Sequence, residues 1–216
     1  GTYPVILEPL AAVELLDLLI GALDARAAGE GRSAFSRPGG GTRIGERLLS
    51  ESVALRSDPA NADVPGSPWA SDGRPHGAQV WIERGTLNAL HGSRYWAEQS
   101  GAALPPAPSR YIMDGGSGTL EELIRGTERA VLVTRLWYIR SVDPRTLLHT
   151  GLTRDGTFLV ENGRIVHAVN NFRFNEWPIA MLQDVQALST SVRANGAMVP
   201  AMRLGKFNFT SVSDAV

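Results

Sequence analysis

Polar positions are sparse at the start of the chain, and their spacing changes abruptly. In "YPVILEPLAAVELLDLLIGAL", residues 3 to 23, the run Tyr3–Leu7 has the length and β-branched content of a short strand. Pro9 then suits the first turn of a helix, where its missing N–H costs nothing. From Leu10 to Leu23 the polar residues Glu14 and Asp17, with Asp24 just beyond, fall on one narrow stripe. That pattern predicts a mostly buried helix with a thin wet edge, closed by "AAGEG". It also sets a carboxylate, Glu8, at a strand-to-helix junction with no histidine or cysteine nearby.

Further along, the pattern shortens into β-sized units. "SRPGGGTRIGERLLSESVALRSDP" opens as a glycine loop, with a strand predicted around Val53–Arg56. Residues 58–78, rich in Pro, Gly, Asp and Ser, read as a long surface loop. "AQVWIERGTLNAL" predicts a hairpin about Arg84–Gly85, and residues 91–108 read as irregular. "YIMDGGSGTLEELIRGT" predicts a short strand, a glycine turn and a helix opened by Thr119, with Glu121 and Glu122 in its first turn. "AVLVTRLWYIRSV" is apolar on both faces and predicts a long central strand. Asn162–Gly163 lies between two alternating runs, the strongest short-range hairpin signal in the chain. A short helix near Pro178–Asp184 and two or three further strands, ending in "KFNFTSV", complete the pattern. Strands joined by hairpins with a few helices packed on them predict an α+β fold with a largely antiparallel sheet.

Composition narrows the function classes. The 216 residues are 43% hydrophobic and 20% charged, with a formal net charge of −1. That balance gives no electrostatic surplus for nucleic acid or an anionic membrane. The absence of cysteine removes disulfides, thiolate nucleophiles and cysteine-based zinc sites, and fits a cytoplasmic protein. No apolar run reaches the roughly 20 residues of a membrane span. The opening "GTYPVIL" lacks a signal peptide's basic segment and begins almost inside a strand, as a piece of a longer chain would.

Local chemistry is thin. His76, His91, His149 and His167 show no metal-ligand spacing. "GGSGT" around Ser117 breaks the G-x-S-x-G pattern at its last position and reads as a glycine turn, with weak anion binding as the alternative. "RPGGGTR", flanked by Arg37 and Arg43, reads as a flexible loop that could also hold a carboxylate. The five tryptophans read as packing residues rather than a base-stacking platform. Arg135 and Arg140 are expected on opposite faces of their strand. Glu8, taken alone, is a helix-start carboxylate favoured by the macrodipole.

Several segments together resemble the TldD/PmbA family, whose members are also called modulators of DNA gyrase. "GLTRDGTFLVENGRIVHAVNNFRFNEWPIAML" carries the resemblance most specifically. "TYPVILEPLAAVELL", "SAFSRPGGGTRIGERL", "QVWIERGTL", "YIMDGGSGTLEELI" and "ANGAMVPAMRL" extend it over essentially the whole chain, 1–216, as the family's C-terminal domain. In the catalytic branch this strand-to-helix junction resembles a zinc-protease site, an H-E-x-x-x-H motif completed by a cysteine near the chain's end. Carried onto this sequence, the ligand positions fall on Leu7, Ala12 and approximately Val192, and the general-base position on Glu8. The resemblance therefore implies no metal, no cofactor and no catalytic residue, Glu8 being only the retained general-base position.

Chains lacking the motif are similar to the PmbA branch, also called TldE. The resemblance implies a non-catalytic subunit that pairs with a TldD-like catalytic subunit, or with itself, in a cytoplasmic protease acting on unfolded peptides. The family's gyrase name suggests a DNA role, but charge and motif support neither a nucleic-acid nor a membrane partner. Arg154, in the densest family-like block, is the candidate for a peptide or partner contact, with a surface salt bridge as the alternative. Two other expectations stay open. One is an independent hydrolase using Glu8 with His149 or His167. The other is a stand-alone homodimeric peptide-binding module.

Overall fold

In the computed structural model, which describes residues 1–213, the chain opens with β1 (Thr2–Leu7), α1 (Pro9–Ala22) and a further turn, α2 (Ala25–Gly29). β2 (Leu55–Ser57), β3 (Gln79–Glu83) and β4 (Thr86–Leu87) follow, then α3 (Arg94–Ser100), β5 (Ile112–Met113) and α4 (Leu120–Arg125). The long pair β6 (Arg129–Asp143) and β7 (Leu148–Glu161) leads to β8 (Arg164–Ala168), β9 (Asn171–Glu176) and α5 (Pro178–Gln183). The chain ends with β10 (Val185–Leu188), β11 (Val192–Ala194), β12 (Ala197–Val199) and β13 (Met202–Ser213).

The larger sheet runs β1-β6-β7-β9-β13-β10, and a second pairing of β1 with β13 closes β1, β6, β7, β9 and β13 into a ring. Closure depends on β1 entering between the two long strands. It runs parallel to β6, with Leu7 opposite Val133, and antiparallel to β13, with Leu7 opposite Met202. β8 adds an edge on β7. The smaller sheet, β11-β12-β5-β2-β3-β4, lies across α1, which packs against β11 and β12 as well as β6. The α+β class, with mostly antiparallel strands joined by hairpins, is the architecture observed, modified by barrel closure.

Strand alternation explains why residues 5–7 of β1 and 130–133 of β6 are apolar on both faces. Val5, Leu7, Val131 and Val133 point into the main core with α1 and the ring phenylalanines. Ile6, Ala130 and Leu132 point the other way, into a smaller cluster with Val160 that Leu120 and Ile124 of α4 cover. α4 starts as its sequence predicts: the Thr119 hydroxyl accepts from the Glu122 N–H, and the Glu122 carboxylate accepts from the Thr119 N–H. The 84–85 hairpin closes with Arg84 and Gly85 both at positive φ. A Cβ on Gly85 would lie 2.3 Å from the Leu49 carbonyl oxygen, so this turn requires glycine on both counts.

The structure corrects three expectations. Residues 94–100 are helical rather than irregular, capped by the Ser93 hydroxyl and ended by Gly101 in the left-handed conformation. β6 is central only as far as Val133, because β1 ends there; among the described residues no strand pairs with its outer edge beyond that point. Its distal half is therefore mostly exposed, with Trp137 42% and Tyr138 54% accessible. The tryptophans also divide. Trp81 is buried and donates its indole N–H to Ser57 Oγ at 3.0 Å, whereas Trp69 in the 58–78 loop is 62% exposed.

Candidate functional site

The junction between β1 and α1 is held by main-chain bonds. The Glu8 N–H donates to the Val133 carbonyl at 3.0 Å, and the Glu8 carbonyl accepts from the Ala12 N–H at 2.9 Å. Leu7 and Ala12, on either side, have no accessible surface and pack in the main core. Glu8 occupies the N-cap position in extended conformation, but its side chain caps nothing. Burial raises the Glu8 pKa, and the nearby Glu121 carboxylate of α4 raises it further. The macrodipole advantage read from sequence is thus opposed by desolvation and by a like charge that sequence spacing could not reveal.

That opposition has a measurable consequence. A carboxylate with a raised folded-state pKa costs nothing below its unfolded pKa, and the cost grows as pH climbs through the raised value. Glu8→Gln is expected to melt at a higher temperature than the parent at pH 7. The two are expected to melt together below about pH 4, where the carboxylate is protonated in both states. Differential scanning calorimetry across that range checks it; a variant less stable at every pH would contradict it.

The third expected ligand position, Val192, lies in β11, which the fold brings against α1. Its side chain is 47% exposed, unlike Leu7 and Ala12. Among the described residues no group of three or more histidine, aspartate or glutamate side chains converges. The histidines proposed as alternative partners for Glu8 are far along or across the sheet. His149 is buried in β7, opposite Ser141 and Glu176, with Nδ1 3.0 Å from the Leu147 carbonyl. Ser141 is farther along β6 than Val133, the partner of Leu7, by about 26 Å at roughly 3.3 Å per residue. His167 is exposed on β8, opposite Leu159, which pairs with Val131, the partner of Val5. Three interstrand spacings, about 14 Å, separate it from β1.

Arg154 projects from β7 and lies over the Trp137 ring, 3.9 Å from its centroid, with Asp155 3.5 Å away. Arg140 lies over Tyr138 at 4.3 Å, and the Trp137 and Tyr138 rings meet edge to face. A basic and aromatic strip thus marks distal β6 and its partner strand. The glycine loops take ordinary structural roles. Arg37 and Arg43 both pair with Glu46 at 2.9 Å. Cβ atoms on Gly115 and Gly116 would lie 2.4 and 2.3 Å from the Ser189 and Leu188 carbonyls, so these glycines permit close approach of two backbones.

Sequence reasoning missed one polar cleft of about 480 Å³ at the C-terminal half of α1, lined by Asp17, His91, Arg110, Tyr111 and Gly196 among others. The Tyr111 hydroxyl donates to Asp17 Oδ1 at 2.7 Å. Burial raises the Asp17 pKa, while the Tyr111 hydrogen bond and the positive charge of Arg110 oppose it. Asp17 was visible on the wet stripe of α1, but nothing in the sequence joins it to residues 110 and 111.

Residues 1–211 match the family model of the PmbA/TldA metallopeptidase C-terminal domain. The chain belongs to the PmbA/TldD family. No curated protein matches the sequence. Three solved structures share the fold. A proposed modulator of a DNA gyrase from Thermotoga maritima aligns over 97% of this chain and 50% of its own, with TM-score 0.85 and 18% identity. A similarly described protein from Bacteroides thetaiotaomicron aligns over 98% and 47%, with TM-score 0.85 and 21% identity. TldE from Thermococcus kodakarensis aligns over 97% and 50%, with TM-score 0.81 and 20% identity. The chain spans about half the length of these relatives.

Family membership raises the question of a metal ion, and the residues here do not fit one. Leu7 and Ala12 offer hydrocarbon only, and both are enclosed by the core. Divalent transition metals take imidazole, thiolate or carboxylate donors in this class of site; Glu8 and the nearby Glu121 offer carboxylates, but among the described residues no third donor converges with them. No helix of the described residues is long and apolar enough to cross a membrane.

Proposed function

We propose that this chain is a PmbA/TldE-like, non-catalytic subunit of a cytoplasmic TldD-type metalloprotease that acts on unfolded peptides. A TldD-like chain or a second copy is its partner. The observation that carries the reading is the enclosure of Leu7 and Ala12 in the core on either side of Glu8. In a metallopeptidase site the general-base carboxylate takes its proton from a metal-bound water, and these side chains hold no ion to bind that water. Arg154 and Trp137 support a contact role for distal β6, since a stacked guanidinium on a half-exposed indole is a common interface anchor.

Glu8→Gln tests the reading through activity. With a TldD-type partner supplied, the assembled complex is expected to cleave an unfolded peptide as fast with the variant as with the parent. Loss of cleavage on this one substitution would assign the chemistry to this chain and refute the subunit reading.

A further inference from the structure

The cleft beside α1 presents side chains of both charges. One wall is helix α1, with Asp17, Ile20 and Gly21; the other is the segment ending at Arg110 and Tyr111, together with the Asn195–Gly196 turn between β11 and β12. Asp17 and Arg110 both line it. They feel each other's charge, yet they form no ion pair with each other or with any other described residue. Both side chains are exposed at the cleft, so each charge is open to a partner from solvent.

Each is held. The buried Tyr111 hydroxyl fixes Asp17 through Oδ1 at 2.7 Å, and Oδ2 has no donor among the described residues. The Arg110 guanidinium lies flat against Gly196, where a Cβ would come within 3.0 Å of Cζ and 3.2 Å of Nη1. Gly196 is at φ 80°, so the turn selects glycine independently and keeps that face clear for the guanidinium. The neighbouring imidazole does not compete as a cation. His91 Nε2 is 3.3 Å from the Ile20 carbonyl, and burial lowers its pKa.

We infer that this cleft binds a zwitterion, a free amino acid or a dipeptide, with its ammonium at Asp17 and its carboxylate at Arg110. Charge-assisted bonds to a carboxylate and to a guanidinium fork are strong and directional, and together they favour a ligand with two free termini. A cleft of about 480 Å³ has room for a ligand of that size. The inference does not depend on the subunit reading, because neither Glu8 nor a partner chain takes part.

Isothermal titration of the full chain with alanine, dialanine, N-acetyl-dialanine and dialanine amide tests it. Alanine or dialanine is expected to bind, and blocking either terminus to weaken binding at least tenfold. Asp17→Asn, which keeps an oxygen for Tyr111, is expected to erase the penalty for acetylation and leave that for amidation. Arg110→Gln is expected to do the reverse, with both variants melting near the parent. No binding of either zwitterion, equal binding of the blocked and free compounds, or the same effect from both substitutions would overturn the inference.

Discussion

Leu7→His combined with Ala12→His is expected to cost this protein much of its stability, and zinc is expected not to return it. Both positions have no accessible surface. Replacing Leu7 removes a packed aliphatic side chain and buries an imidazole whose nitrogens have no partner among the surrounding hydrocarbon; that change alone should cost roughly 2–4 kcal/mol. At Ala12 the larger ring must be forced into a filled space on the helix face that meets the core, at roughly 1–3 kcal/mol. For a chain of this size the sum lowers the melting temperature by roughly 10–20 °C. Two imidazoles without a third strong donor make an incomplete site, since Val192 supplies none. Thermal melts with and without a tenfold excess of zinc check both halves. A large metal-dependent recovery would mean that the junction encloses a vacant ion site after all.

Phe174→Ala is expected to be the most damaging single truncation in the closed sheet, at roughly 3–5 kcal/mol. Phe174 is fully buried and packs on Phe207 with ring centroids 5.4 Å apart; Phe207 packs on Phe209 at 5.1 Å, and Phe209 on Phe172 at 4.8 Å. This chain of rings joins β9 to β13, one of the seams that close the ring of strands. Gly151 on β7 is what admits the Phe174 ring: a Cβ there would lie 2.6 Å from Cζ. Gly151→Ala alone should therefore destabilise by overpacking, by roughly 1–3 kcal/mol. In the double variant the new methyl enters the space the ring has vacated, so the two losses are expected to sum to less than their separate values. Chemical denaturation of the two single variants and the double variant checks the cycle; simple additivity would contradict this account of the seam.

Much of this fold was legible where the signal is local. Pro9 marked the first turn of α1, Asn162–Gly163 marked the turn between β7 and β8, and Thr119 with Glu122 marked the start of α4. What escaped depends on residues far apart in sequence. Nothing in "TYPVIL" announces that β1 will lie parallel to β6, more than a hundred residues later, and close a barrel. The distal half of β6 looked central because Leu136, Trp137 and Tyr138 are apolar; Leu136 is buried, but Trp137 and Tyr138 are exposed where β1 no longer pairs with β6. The helix at 94–100 was hidden by its polar sequence, whose only firm marks were Ser93 and Gly101 at its ends.

The candidate site divides in the same way. The positions of Leu7, Glu8 and Ala12 could be read from the strand-to-helix pattern, and their side-chain chemistry from the letters alone. That Glu8 lies near enough to Glu121 to feel its charge, and that Asp17 is held by Tyr111 in a cleft that Arg110 also lines, required the tertiary structure.

The most direct test of the central claim is metal content and peptide cleavage measured on the same purified preparation of this chain, alone and then with a TldD-type partner. Alone, the chain is expected to carry no stoichiometric zinc and to leave an unfolded peptide intact; with the partner, cleavage is expected to appear and to be abolished by a chelator. One equivalent of zinc bound to this chain, with chelator-sensitive cleavage in the absence of any partner, would contradict the account.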